Sequence, residues 1–285
     1  MGSIEGVTNI TVGVLALQGA FNEHVQLLRQ AAKILSTKET VERTWSFTEV
    51  RTEPELRSCD ALILPGGEST AISLVAQRSN MLEPLRDFVK VTRKPTWGTC
   101  AGLILLAESA NRTKKGGQEL IGGLDVRVNR NHFGRQIESF EADLNLPFLS
   151  DGDDLGSDKH RSPFRAIFIR APIVEKLLPH VAGEQQGEAS IGDTIVAPSR
   201  TIDESVARGI NLGEVEIMGT LPGRAAALKT DENTGKLDAE AGDIIAVRQA
   251  NVFGTSFHPE LTGDPRIHVW WLEQVIEAVN LRRTS

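Results

Sequence analysis

Between Ile10 and Ala110 one pattern recurs: a short apolar run, a glycine turn, then a stretch with helical spacing. "ITVGVLALQG" (Ile10 to Gly19) leads into "FNEHVQLLRQAAKIL", where Val25, Leu27, Leu28, Ala31, Ala32 and Leu35 line one face of an amphipathic helix. "DALILPGGEST" (Asp60 to Thr70) repeats it, with the helix opening at Ser69 or Thr70, both good N-cap types. "KPTWGTCAGLILLAESA" (Lys94 to Ala110) is the third strand, turn and helix. Unbroken apolar strands are stable only when covered on both faces, and parallel neighbours need crossover helices. The pattern therefore predicts an α/β fold: a mostly parallel central sheet with helices on both faces.

The second half changes character. "GGLDVRVNRNHFGRQIESFEADL" and "AIFIRAPIV" read as strands, and "GDIIAVRQANVFGTSFHPE" as two strands joined by a Gln-Ala-Asn turn. A closing helix, "DPRIHVWWLEQVIEAVNLRR", has Pro265 near its first turn and a basic end that suits the helix dipole. The polar stretches 150–163, 182–193 and 228–243 lack periodicity and read as surface loops or partly disordered insertions. Without an internal repeat or a convincing linker, the expectation is a single domain over 1–285.

Composition excludes several partners. A net charge of -7 argues against nucleic acid and anionic membranes, which need basic surface. No run approaches the roughly 18 apolar residues of a membrane span. "MGSIEGVTNI" has neither the basic nor the apolar region of a signal peptide. Two cysteines, Cys59 and Cys100, make no disulfide framework, so a reducing cytoplasm is the expected location.

Three segments carry chemistry. In "GTCAG", Cys100 sits at a strand-to-helix joint between Gly98 and Gly102, where small neighbours permit the sharp turn of a nucleophile elbow. A helix N-terminus there favours thiolate, and the Ala101 amide faces the place where an oxyanion would form. A buried, inert cysteine is the competing reading. In "SFHPELTGD", His258 and Glu260 lie two apart, so on an extended segment both leave the same face, the acid fixing the tautomer of the base. A metal reading would need more ligands, and His24, His132, His160, His180 and His268 are scattered, each read as a surface or core residue. "LPGGEST" lets backbone amides approach a ligand; it lacks the lysine of a phosphate loop and carries an acid instead. By charge alone Arg130 and Arg135 of "RNHFGRQ" suit a carboxylate equally. Cys59 has no partner motif and reads as structural.

"LALQGAFNEH", "LILPGGEST", "GTCAGLILLA", "RNHFGRQIESFEADL", "FIRAP" and "GTSFHPEL" occur in that order. Together they resemble the glutaminase subunits of pyridoxal 5'-phosphate synthase, which are class I (triad-type) glutamine amidotransferases of flavodoxin-like fold. The resemblance implies hydrolysis of L-glutamine to L-glutamate and ammonia. The ammonia passes to a partner synthase subunit for vitamin B6 biosynthesis, and no cofactor or metal is implied for this chain. It makes Cys100 the nucleophile, His258 the base and Glu260 its orienter. Gly67, Glu68, Ser69, Arg130, Ile169 and Arg170 would contact glutamine, and the amides of Gly67 and Ala101 would form the oxyanion hole. The family pattern, and only that, prefers Arg130 over Arg135. Stretches near 150–163, 182–193 and 199–243 look longer than the family core needs, as in eukaryotic members.

Overall fold

The computed structural model describes residues 8–38, 43–111, 118–130, 139–149, 162–207, 210–223 and 243–284. The first half runs β1 (Thr8–Leu15), α1 (Phe21–Lys38), β2 (Arg43–Val50), α2 (Glu53–Arg57), β3 (Ala61–Leu64), α3 (Ser69–Arg78), α4 (Leu82–Arg86), β4 (Thr96–Thr99), α5 (Ala101–Leu106) and β5 (Ala107–Asn111). Then follow β6 (Leu124–Asn129), β7 (Ser139–Leu144), β8 (Phe164–Ile169), β9 (Ile173–Leu177), α6 (Gln186–Ala189), β10 (Thr194–Val196) and α7 (Glu204–Ala207). Strands β11 (Glu216–Thr220), β12 (Ile244–Gln249) and β13 (Val252–Thr255) lead to the closing helix α8 (Arg266–Thr284).

The central sheet has seven strands in the order β11-β12-β13-β4-β3-β1-β2. From β13 to β2 every neighbour is parallel; β12 and β11 add an antiparallel edge. Side-chain alternation along each strand feeds two separate apolar layers. Leu62 and Leu64 of β3 pack with Leu56, Ile72, Leu85 and Leu103 from α2 to α5. Ala61 and Ile63 pack on the other face with Leu28 of α1 and Trp271, Leu272 and Val275 of α8. All four residues of β3 are wholly buried, which explains why its sequence is apolar throughout rather than alternating. The expected layers of helix, sheet and helix are present. Among the described residues, no helix is long and apolar enough to cross a membrane.

Several local expectations are corrected. Helix α3 does begin at Ser69, but its N-cap is Glu68, whose carboxylate accepts from the amides of Thr70 (3.0 Å) and Ala71 (2.7 Å). The third helix stops at Leu106, and "AESAN" becomes β5 of a second sheet ordered β10-β5-β6-β9. There Glu108 is fixed by the Lys90 ammonium (2.8 Å) and the Gly123 amide (2.7 Å), partners that a continuing helix would forgo. "AIFIRAPIV" divides at Arg170: β8 pairs with β7, while β9 joins the second sheet. The break has a left-handed residue, Arg170 (φ 46°), and, two positions on, Pro172, which cannot donate to a ladder.

The polar stretch 182–193 carries α6 and buries Gln185 and Glu188. The Glu188 carboxylate accepts from Arg127 Nη1 (2.7 Å) and Ser109 Oγ (2.9 Å), tying this stretch to the second sheet. Residues 150–161, 208–209 and 224–242 lie outside the described residues, and with them most of the stretches at 150–163 and 228–243. Glu188→Gln keeps the volume but removes the charge from a buried hydrogen-bonded pair. It should cost about 1–3 kcal/mol in urea unfolding, whereas an exposed loop position would change stability by about 0.5 kcal/mol or less.

Candidate active site

The parallel strands β1, β3, β4 and β13 end together, at the side of an open α/β sheet where ligands bind. Cys100 follows β4 directly. Its backbone lies at φ 48°, ψ -99°, a region that costs a non-glycine residue about 1–3 kcal/mol. Two close approaches make this elbow possible. A Cβ on Gly98 would lie 2.5 Å from the carbonyl carbon of Gly102, and one on Gly102 would lie 2.0 Å from the Leu64 carbonyl oxygen. Only glycines let α5 fold back this closely over β4 and β3. The Cys100 amide donates to the Thr255 carbonyl (2.8 Å), and Sγ makes a long contact with the Ile169 carbonyl (3.7 Å).

His258 comes from the neighbouring strand end, after β13, and its amide donates to the Ile167 carbonyl (2.8 Å). Its Nδ1 is 2.7 Å from Glu260 Oε1, and Cys100 lies near enough to favour the protonated ring. The pairing of His258 with Glu260 is not produced by extended backbone, as the spacing suggested. Pro259–Leu261 forms a single 3-10 turn that brings the acid back under the imidazole. Cys100, His258 and Glu260 are 5%, 6% and 4% exposed, so the cluster is largely screened from bulk water. Burial is the largest single influence on His258 and pushes its pKa down. The nearby Cys100 and the Glu260 carboxylate, which accepts from the ring, together outweigh it and raise the imidazole to about 10.

The glycine turn after β3 abuts this pair. A Cβ on Gly66 would sit 2.3 Å from His258 Cε1, so any larger residue would displace the imidazole. Gly67, the next residue, is exposed, and the Glu68 amide donates to Gln18 Oε1 (2.9 Å). The Gly67 and Ala101 amides therefore belong to turns after the adjacent strands β3 and β4. Ser69 is buried, its hydroxyl donating to Gln118 Oε1 (3.1 Å); Thr70 Oγ1 (3.2 Å) and Arg130 Nη1 bond the same oxygen. Arg130 also donates to the Asn111 carbonyl through Nε (3.0 Å) and Nη2 (2.9 Å). Burial lowers its pKa from the ordinary value, and the Glu68 charge opposes that. Ile169 is half-buried beside Cys100, and Arg170 is exposed. Arg135, His132 and His160 lie outside the described residues.

Cys59 is wholly buried, its thiol donating to the Glu55 carbonyl (3.2 Å), and burial pushes that thiol up to about 11. Such a cysteine is inert near neutral pH. Among the described residues, no three His, Cys, Asp or Glu side chains gather as they would around a metal ion. Sequence reasoning missed Gln118, which joins Ser69 to Arg130, and the environment behind Glu260, where His24 and His268 are buried. Neither had a local signal, because their partners are far away along the chain.

The architecture is that of a class I, triad-type glutamine amidotransferase. The chain belongs to the SNO glutamine amidotransferase family, which matches residues 14–205 and 220–277. It is 38% identical over 268 residues to an Arabidopsis thaliana protein named as a probable pyridoxal 5'-phosphate synthase subunit, covering 94% of this chain and 87% of that one. A Nocardia farcinica protein named as a pyridoxal 5'-phosphate synthase subunit is 37% identical over 267 residues, covering 93% and 85%. A crystal structure of a glutamine amidotransferase matches with a TM-score of 0.54 at 32% identity, over 93% of this chain and 98% of that one.

The raised His258 pKa has a consequence for stability. The folded chain holds a proton on this ring at pH values where the unfolded chain, near 6.5, has released it. The stabilisation is therefore complete below 6.5 and drains away as pH rises toward about 10. Thermal unfolding at about pH 6 and pH 9.5 should show a larger loss for the parent than for His258→Gln; parallel losses would count against a stabilised imidazolium.

Proposed function

We propose that this chain hydrolyses L-glutamine to L-glutamate and ammonia, and delivers the ammonia to a pyridoxal 5'-phosphate synthase subunit. The single observation that carries the chemistry is the buried His258–Glu260 hydrogen bond set beside the Cys100 elbow at the ends of adjacent parallel strands. The names of the relatives from Arabidopsis thaliana and Nocardia farcinica support the destination of the ammonia. The strand order β2-β1-β3-β4-β13 supports the flavodoxin-like reading. A single domain bearing insertions, at work in the cytoplasm, belongs to the same proposal.

In this mechanism the Cys100 thiolate attacks the side-chain amide carbon of glutamine, and negative charge builds on the amide oxygen. The amides of Gly67 and Ala101 receive that oxyanion, each such donor being worth roughly 10² to 10³ in rate. The His258 imidazolium gives its proton to the departing nitrogen, so ammonia leaves and a glutamyl thioester remains. The ring, now neutral, takes a proton from an incoming water. A second oxyanion collapses, glutamate departs and the thiolate returns. Glu260 keeps Nδ1 of the ring protonated throughout, so that the face toward Cys100 does the exchanging. Gly67, Glu68, Ser69, Arg130, Ile169 and Arg170 form the proposed glutamine contacts. Arg130 can offer its planar fork to the substrate carboxylate by giving up its bond to Gln118.

Ammonia released into water is lost to the synthase, so turnover is expected to depend on the partner. Ammonia release from glutamine, measured with and without the cognate synthase subunit, tests the whole reading. The parent should be strongly stimulated by the partner, and Cys100→Ser should be inactive in both conditions while still binding it. No glutamine turnover in either condition, or turnover that survives Cys100→Ser, contradicts the proposal.

A further inference from the structure

Behind Glu260 lie two histidines that this chemistry leaves unused. His24, on α1, and His268, in the first turn of α8, are both 0% exposed. His24 Nδ1 is 3.0 Å from His268 Nε2, and His24 Nε2 is 3.3 Å from Thr99 Oγ1 and 3.4 Å from Glu260 Oε2. Trp97 meets both rings edge-on, with centroids 5.6 and 4.9 Å away. Among the described residues, two buried polar atoms in this cluster have no hydrogen-bond partner: Glu260 Oε2 and His268 Nδ1.

Donor and acceptor accounting chooses the tautomers. A carboxylate oxygen only accepts, so a group turned toward Glu260 Oε2 must bring a proton. Burial, the largest effect on each, pushes both histidines down to about 3, so both rings are neutral and each carries a single N–H. If His24 is protonated at Nε2, its Nδ1 accepts from His268 Nε2–H, and His268 Nδ1 is left as a bare lone pair. The reverse arrangement would set the lone pair of His24 Nε2 against a carboxylate oxygen. It would also bury an unsatisfied N–H at His268 Nδ1, the rarer and costlier kind of orphan. Among the described residues, the titratable groups facing His24 are Glu260, His268 and His258.

We propose that His268 and His24 form a neutral donor chain that ends on Glu260 Oε2 and holds this carboxylate oriented for His258. The links are His268 Nε2–H to His24 Nδ1 and His24 Nε2–H to Glu260 Oε2. The second contact, at 3.4 Å, is not a formed hydrogen bond in the resting chain, where Nε2 also lies 3.3 Å from Thr99 Oγ1; the proposal has it close when substrate binds, as catalytic contacts often tighten only then. Both histidines are positioning residues, since neither touches a reacting atom. The inference rests on reading Cys100, His258 and Glu260 as the catalytic triad.

The test is the pH profile of Cys100 alkylation by iodoacetamide, mapped by peptide, with glutamine kcat and KM measured in the presence of the synthase subunit. His24→Leu removes the donor, whereas His24→Gln can place an amide N–H where Nε2 lies. His24→Leu should move the midpoint of the profile by about one pH unit and lower kcat about tenfold with KM little changed; His24→Gln should recover most of both. A folded His24→Leu with unmoved profile and kcat overturns the proposal, as does equal impairment of the two variants. Should neither variant fold, imidazole ¹⁵N spectra of the unaltered chain decide. Both rings should be neutral with the proton on Nε2 from about pH 5 to 8, and titration of either ring or an Nδ1–H tautomer overturns the chain. His258→Asn separates the two levels. If it leaves the alkylation profile unmoved, the triad reading falls and this proposal with it. If it moves the profile while a folded His24→Leu does not, only the donor chain falls.

Discussion

The turn at Cys100 is the constraint on which the rest of the candidate site depends. A backbone at φ 48° is unfavourable for cysteine, and it persists because β4 is paired on both sides, to β3 and β13. The Cys100 amide is spent on Thr255 of β13, so the strand that supplies His258 also fixes the elbow. Cys100 and His258 are thus registered by one parallel strand pair, and the sheet sets their relative height. The glycines at 98 and 102 have a packing role: they let α5 lie against β4 and the end of β3 closely enough for the turn to close.

Electrostatics then follow from burial. A histidine this poorly solvated would ordinarily lose its proton, and the cost of keeping it is offset only by two partners that are themselves buried. Glu260 in turn is a buried carboxylate with one oxygen on His258 and the other turned toward His24. Each buried polar group in the series faces the next, so the site is a connected unit running from the sheet end into the layer beneath α1 and α8. Cys59 shows the contrast. It is equally buried, but its thiol is given a backbone carbonyl instead of a base.

Much of this was legible in the sequence because the relevant signals are local. Three apolar runs followed by glycine turns specify strand ends, and a cysteine between glycines specifies an elbow. The H-x-E spacing did bring acid and base together, although through a 3-10 turn rather than a strand face. What could not be read depends on distant pairing. "AESAN" looked like the continuation of α5 until Lys90 and Gly123 claimed Glu108. Residues 182–193 looked like a solvated loop because their buried members, Gln185 and Glu188, are polar and find partners in other elements. His24 and His268 are separated by most of the chain, and no spacing rule relates them.

The central claim is that this chain has one activated thiol, and that the elbow and its base create it. The most direct measurement is covalent labelling of the purified protein with a glutamine-like electrophile, followed by peptide mass spectrometry. A single adduct on Cys100, blocked by excess glutamine and lost in His258→Asn, is the expected result. An adduct on Cys59, or labelling of Cys100 that ignores both glutamine and His258, would contradict it.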